Sequence, residues 1–220
     1  MSVETVVRLI AVAVVAYVIG SIPFPFIWTL VVARRDLRKL GTGNITVYNS
    51  FRSVGLTPAL LTVLSNAGLG FAVVILATWL VPEDEHTIVF GRIPENELTI
   101  IAIIVGLIFV TVGAMWPIWL AFSGGIGTTT MGWTMMFIWP PLPFVIVGVW
   151  FLSLIVTRRT FTSSTVVYRT LPIILGLVTQ SWLFAIAGLV LSVLLHVKRK
   201  ADRDDGSELG VWRRLGMNKT

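Results

Sequence analysis

Cysteine is absent from all 220 residues, which removes disulfides, thiol nucleophiles and thiolate metal ligands at once. Histidine occurs twice, as His86 in a polar stretch and His196 at the end of the last apolar run, so no histidine pair stands at metal-ligand spacing. No metal or organic cofactor is therefore expected. Charge is scarce as well. Only 13% of residues are Asp, Glu, Lys or Arg, too few to clothe a water-soluble surface of this size. Nor does any period of 20–50 residues recur, which sets aside solenoids and repeat arrays.

What fills the chain instead is apolar: 55% of residues are hydrophobic and the mean hydropathy is +0.88. Windows of about 20 apolar residues, enough to cross a bilayer core, begin almost at the N-terminus. Clear runs cover 5–33, 58–81 and 98–122. A fourth, 131–157, is broken by Trp139-Pro-Pro-Leu-Pro143 into two short helices, and a fifth, 166–196, is interrupted at Thr179-Gln-Ser181. The first run is longer than the apolar region of a signal peptide and is read as a retained span. These runs predict an all-α integral membrane protein with seven transmembrane helices, several short or broken, over 1–200, followed by a basic cytoplasmic tail at 201–220.

Seven spans put Arg34, Arg35, Arg38, Lys39, Arg52, Arg158, Arg159 and the basic tail on one side. The other side holds Arg8 and Arg92 among basic residues, with Glu83, Asp84, Glu85, Glu95 and Glu97 beside them. The positive-inside rule then places the N-terminus outside and the C-terminus in the cytoplasm. The net charge of +6 is thus spent on membrane orientation, and membrane lipids rather than nucleic acid are the expected partners.

Two loops on the cytoplasmic side exceed what a connector needs. The first, 38–55, reads RKLGTGNITVYNSFRSVG and crowds Gly41, Thr42, Gly43, Asn44, Asn49 and Arg52 together. Glycines admit a ligand close to the backbone, Asn and Thr exchange hydrogen bonds, and Arg52 offers a planar fork matched to phosphate. A helix cap followed by a turn would use the same residues. The second loop, AFSGGIGTTT at 121–130, has the glycines and hydroxyls of an anion cradle at a helix start but no lysine or arginine.

The order of these elements carries a resemblance. Gly20-Ser-Ile-Pro-Phe24, Gly41-Thr-Gly-Asn-Ile45 with Asn49 and Arg52, Gly113-Ala-Met-Trp-Pro117, Phe122-Ser-Gly-Gly-Ile-Gly127, Arg159 with Thr162 and Thr165, His196 and Gly206-Ser-Glu208 succeed one another along the chain. This order resembles that of the bacterial acyl-phosphate:glycerol-3-phosphate acyltransferases, the PlsY family. The resemblance implies transfer of an acyl group from acyl phosphate to the 1-hydroxyl of glycerol-3-phosphate. It assigns catalysis to Thr42, Asn44, Asn49 and Arg52. Substrate binding falls to Gly41, Gly43, Ser123, Gly124, Gly125, Gly127, Arg159, Thr162, Thr165 and His196.

Against the family pattern, Ser123 and Ile126 stand where it has lysines, Ala114 where it has histidine, Asn66 and Leu69 where it has Asp and Lys, and Arg199 where it has Asn. Loss of one charge-stabilising group from such a site costs about 2.7–4 kcal/mol. Arg169, inside the sixth span, and Arg199 are the remaining substrate-binding candidates, expected with Arg52 and Arg159 to rebuild positive charge. Arg169 admits a second explanation, snorkelling to the interface. The residues leave two readings: an arginine-based acyltransferase, or a catalytically degenerate relative serving as a lipid-binding or structural subunit of a membrane complex. The first requires Thr42–Arg52, Ser123–Thr128 and His196 to enclose one pocket.

Overall fold

The computed structural model describes residues 2–82 and 90–201. The expected tail beyond 201, with Gly206–Glu208, and the acidic cluster of Glu83, Asp84 and Glu85 with His86 lie outside the described residues. Among the described residues every regular element is helical. The chain divides into two compact units, Met1–Pro143 and Phe144–Thr220.

In the first unit the opening apolar run is two helices rather than one. Helix α1, Val3–Gly20, starts where the Ser2 hydroxyl accepts from the Thr5 N–H. It stops where Ser21 folds its N–H and hydroxyl back onto the Tyr17 carbonyl, two residues before Pro23. Helix α2, Phe24–Ala33, restarts with Pro25 in its first turn, where the missing N–H is harmless. A short α3, Val47–Ser53, leads into α4, Leu56–Leu80. Helix α5, Glu97–Met115, begins at an Asn96 cap and ends before Pro117. Helix α6, Thr128–Ile138, completes the unit.

Ala16, Val73 and Val110 form a buried core between α1, α4 and α5, with Ile19 packed against it. Small residues let the backbones meet: Gly20 lies against the Val110 carbonyl, and Gly113 against Tyr17 and Ser21. A side chain at either position would force α1 and α5 apart, the role small residues play between membrane helices.

Helix α7, Pro141–Thr157, leads into the second unit, which continues with α8, Thr160–Thr179, and α9, Trp182–Ala201. Helix α8 starts six residues earlier than the apolar pattern predicts. Its first turns are rich in hydroxyls, and Ser163, Ser164, Thr165 and Thr170 each donate to the carbonyl four residues back. Such back-bonding hides a hydroxyl within its own helix, so a polar-looking stretch is helical all the same.

By length and composition five stretches suffice to cross a membrane: Val3–Ala33, Leu56–Leu80, Glu97–Leu120, Thr160–Thr179 and Trp182–Arg199. Of the other two expected spans, α7 is a shorter apolar helix of 17 residues and α6 has 11.

Candidate functional site

After α2 the chain turns at Arg34, and Asp36 caps a single 3-10 turn, Leu37–Lys39. The Asp36 carboxylate accepts from the Arg38 backbone N–H and from its guanidinium, which also lies over the Phe26 ring. The Arg38 hydrogen bond holds the Asp36 carboxyl below its ordinary value. Leu37 is fully buried and anchors the turn.

Asn49 organises the loop between this turn and α3. Only 1% of it is exposed, so its amide must be satisfied inside the protein. Its Nδ2 donates to the carbonyls of Leu40 and Asn44, both at 2.9 Å, while Oδ1 accepts from the Thr42 N–H at 3.1 Å and the Ser53 hydroxyl at 3.2 Å. One side chain therefore closes the loop over 40–44. Gly41 and Gly43 make the turn at φ +54° and +76°, and a Cβ on Gly41 would overlap Asn49 Oδ1. Thr46 caps α3 by accepting from the Asn49 N–H, which fixes Asn49 on the inward face.

The same loop leaves other polar groups outward. Thr42 is exposed, and its hydroxyl accepts from the Asn44 N–H. The Asn44 carboxamide is half-buried and has no partner among the described residues. Arg52 is exposed on α3, and its guanidinium likewise has no partner there.

The glycine loop is built on Pro117. Phe122 donates its N–H to the Pro117 carbonyl, Ser123 to that of Leu120 and Gly124 to that of Met115. Ala121 and Phe122 take left-handed conformations at φ 48° and 62°. Ser123 is exposed, whereas Gly124 and Gly125 are buried. The Gly125 backbone is pressed against the Ile45 carbonyl, so that a Cβ would overlap that oxygen. Gly127, at φ +77°, opens α6 without a side-chain cap. The glycine loop and the first loop thus meet at Gly125 and Ile45, beside Asn44. An uncapped helix start, two glycines and an unpartnered carboxamide present donors without a fixed cation, an arrangement able to receive an anionic oxygen.

The second unit holds the remaining candidates. Arg159 precedes α8 and is exposed, its N–H directed to the Thr157 hydroxyl. Thr162 is half-buried. Arg169, exposed half-way along α8, has no partner among the described residues. Arg199 is engaged: it donates to the Thr165 hydroxyl at 3.0 Å and to the Phe161 carbonyl at 2.8 Å, with its guanidinium carbon 3.5 Å from the Phe161 ring centre. His196 is half-buried, with Nδ1 2.7 Å from the Ser192 carbonyl and its ring edge-on to Tyr168. Among the described residues no three His, Asp or Glu side chains cluster to hold a metal.

Phe161 and Tyr168 escaped the sequence reading. Their spacing around Thr165, four residues and then three, was the available signal, since it sets all three on one face of α8.

Comparison with known proteins covers nearly the whole chain. The sequence model of the family described as glycerol-3-phosphate acyltransferase matches residues 10–203. A glycerol-3-phosphate acyltransferase of Syntrophomonas wolfei is 28% identical over 91% of this chain and 96% of its own length. One from Rhizobium etli strain CIAT 652 is 30% identical over 88% of this chain and 85% of its own. Among solved structures, the glycerol 3-phosphate form of PlsY (YgiH), an integral membrane glycerol 3-phosphate acyltransferase, superposes with a TM-score of 0.70 at 18% identity, covering 96% of this chain and 94% of that one. At that identity the likeness is one of fold.

Proposed function

Since the chain belongs to the glycerol-3-phosphate acyltransferase family, that of PlsY, and is a multi-pass membrane protein, we propose that it transfers an acyl group from acyl phosphate to the 1-hydroxyl of glycerol-3-phosphate. The observation that supports this best is the abutment of Gly125 on Ile45, which brings the glycine loop beside the unpartnered Asn44 carboxamide. The hydroxyl oxygen attacks the acyl carbon and the bond from that carbon to the phosphate oxygen breaks. Phosphate leaves with the electron pair, and the hydroxyl proton passes to it. Acyl phosphate is already activated, so no protein nucleophile is required.

In this reading Thr42, Asn44 and Arg52 bind reacting oxygens, Arg52 through its two-pronged fork. Asn49 is a positioning residue, because both ends of its amide are committed to the loop. Gly41 and Gly43 shape the turn. The Ser123 hydroxyl and the N–H groups of Gly125 and Gly127 form the cradle for phosphate oxygens, shaped by Gly124, whose own N–H is held by the Met115 carbonyl. The substrate-binding residues of the second unit are Arg159, Thr162, Thr165, Arg169 and His196. Arg199 departs from the expected phosphate ligand, since Thr165 and Phe161 already occupy its fork. The seven spans are the five long stretches together with α6 and α7. With the N-terminus outside, the loops carrying Asn44 and Gly125 face the cytoplasm.

The alternative, a degenerate lipid-binding or structural relative, is favoured by two observations. Ser123 and Ile126 supply no charge to the glycine loop, and Arg199 is held on α8. Phosphate release from acyl phosphate by purified protein in lipid, with and without glycerol-3-phosphate, separates the two. Acceptor-dependent release supports the enzyme, and silence supports the structural subunit.

A further inference from the structure

Helix α9 carries His196 and Arg199 three residues apart, and α8 carries Phe161, Thr165 and Tyr168 at spacings of four and three. Each set lies on one helical face, and the two faces meet. The Thr165 hydroxyl has one proton, which it donates to the Phe161 carbonyl at 3.0 Å, so its lone pair is left to accept from Arg199. Arg199 is thereby held at both tips of its fork and stacked on Phe161. Its guanidinium also lies 5.5 Å from the centre of the Tyr168 ring.

Tyr168, only 6% exposed, packs against both that cation and His196, whose ring centre is 5.9 Å away at an interplanar angle of 77°. The His196 ring is fixed at one nitrogen too. A carbonyl can only accept, so the 2.7 Å contact with Ser192 requires the proton on Nδ1. Nε2 then carries the free lone pair of the neutral ring and has no partner among the described residues.

We infer that Arg199, pinned to α8 by Phe161 and Thr165, positions His196 through the Tyr168 ring so that the histidine presents Nε2 to substrate. This rests on the proposed acyltransferase function for what Nε2 meets, and on the packing alone for how the ring is held. Lysine would not serve in place of Arg199. Its ammonium can donate to two acceptors but lacks the rigid planar fork that reaches Thr165 and Phe161 from fixed tips and the flat face that lies over the Phe161 ring.

The test uses the full chain in lipid with ring-nitrogen-labelled histidine and a His86→Gln background, which leaves His196 the single histidine. The neutral wild-type ring should show protonated Nδ1 and bare Nε2 alone, as should Tyr168→Phe, which keeps the ring. Arg199→Ala and Tyr168→Leu should each show both tautomers and lower kcat about tenfold, the low end of what removing an orienting partner costs a ligating histidine. Because one acts through the other, the double variant should lose no more than the worse single one. If Arg199→Ala fails to fold, Arg199→Lys should show the same mixed tautomers to a smaller degree. A single wild-type tautomer in Arg199→Ala or Arg199→Lys, or losses that multiply in the double variant, would overturn the inference. Undiminished turnover in His196→Ala would instead remove His196 from the proposed function while the tautomer pattern still judges the positioning.

Discussion

Gly125 lies against the Ile45 carbonyl with no room for a methyl group, and this contact joins two loops separated by three helices of sequence. The oxygen belongs to backbone, so it cannot swing aside as a flexible side chain would. Gly125→Ala should therefore separate the loops and lower stability by about 1–3 kcal/mol, the cost of overpacking a close contact. Thermal unfolding in detergent reads the loss, and phosphate release should fall further than stability alone accounts for. A variant with wild-type melting and turnover would show that the contact is dispensable.

Asn49 offers a second test of the first loop. Asn49→Ala would strand the Thr42 N–H, at a cost of roughly 1–3 kcal/mol if it stays dry, and would take one of two hydrogen bonds from the carbonyls of Leu40 and Asn44, which keep those from the Gly43 and Thr46 N–H groups. Asn49→Asp keeps the acceptor toward the Thr42 N–H but sets an anionic oxygen against the carbonyls of Leu40 and Asn44 in a buried site, so its melting temperature should fall at least as far as that of alanine. An aspartate variant that melts like wild type would mean that the Nδ2 donors contribute nothing.

These two residues also mark what could be read from sequence. The apolar runs marked the five stretches long enough to cross a bilayer, because hydrocarbon thickness fixes that length, and prolines 23, 117, 140, 141 and 143 marked the breaks. The break at Pro23 was stronger than expected, dividing the first run into two helices. The first loop stood out by its crowded Gly, Asn and Thr. Its division of labour did not: only burial separates Asn49, turned inward, from Asn44, left half-open, and identical side chains carry no mark of it. The start of α8 was hidden because hydroxyls bonded to their own helix look polar on paper. The partners of Arg199 were hidden too, since Thr165 and Phe161 lie 34 and 38 residues away in sequence and on another helix.

Orientation is open to direct measurement in a chain that contains no cysteine. Ser2, Lys39 and Gln180 are exposed and lie at helix ends or in loops. With the N-terminus outside, Ser2→Cys and Gln180→Cys should react with an impermeant thiol reagent on intact cells, whereas Lys39→Cys should react only after lysis. Labelling of Lys39→Cys on intact cells, with the other two silent, would invert the topology and move the glycine loop to the outer face.

The charge of the site decides between enzyme and structural relative. Arg52 is an exposed cation on α3, the short helix that comes after the Asn44 loop, and its fork has no protein partner among the described residues. If it meets a substrate phosphate, Arg52→Ala should lower kcat/KM a hundredfold to a thousandfold, about 2.7–4 kcal/mol of transition-state stabilisation. Melting should be unchanged, because none of the described residues bonds the guanidinium. Ser123→Lys with Ile126→Lys supplies cations to the glycine loop instead. Ser123 is exposed and Ile126 half-buried, so the first replacement fits freely and the second must swing its stem outward. In a working arginine site the added lysines should change turnover little, since the charge is already balanced. In a degenerate site they should raise it from nothing to a slow rate, because the backbone cradle and Asn44 are already in place. Restoration should stay partial, since groups that act as a unit do not contribute additively. Wild-type turnover that ignores Arg52→Ala would exclude Arg52 from the chemistry, and silence in wild type, Arg52→Ala and the double-lysine variant alike would favour the structural subunit.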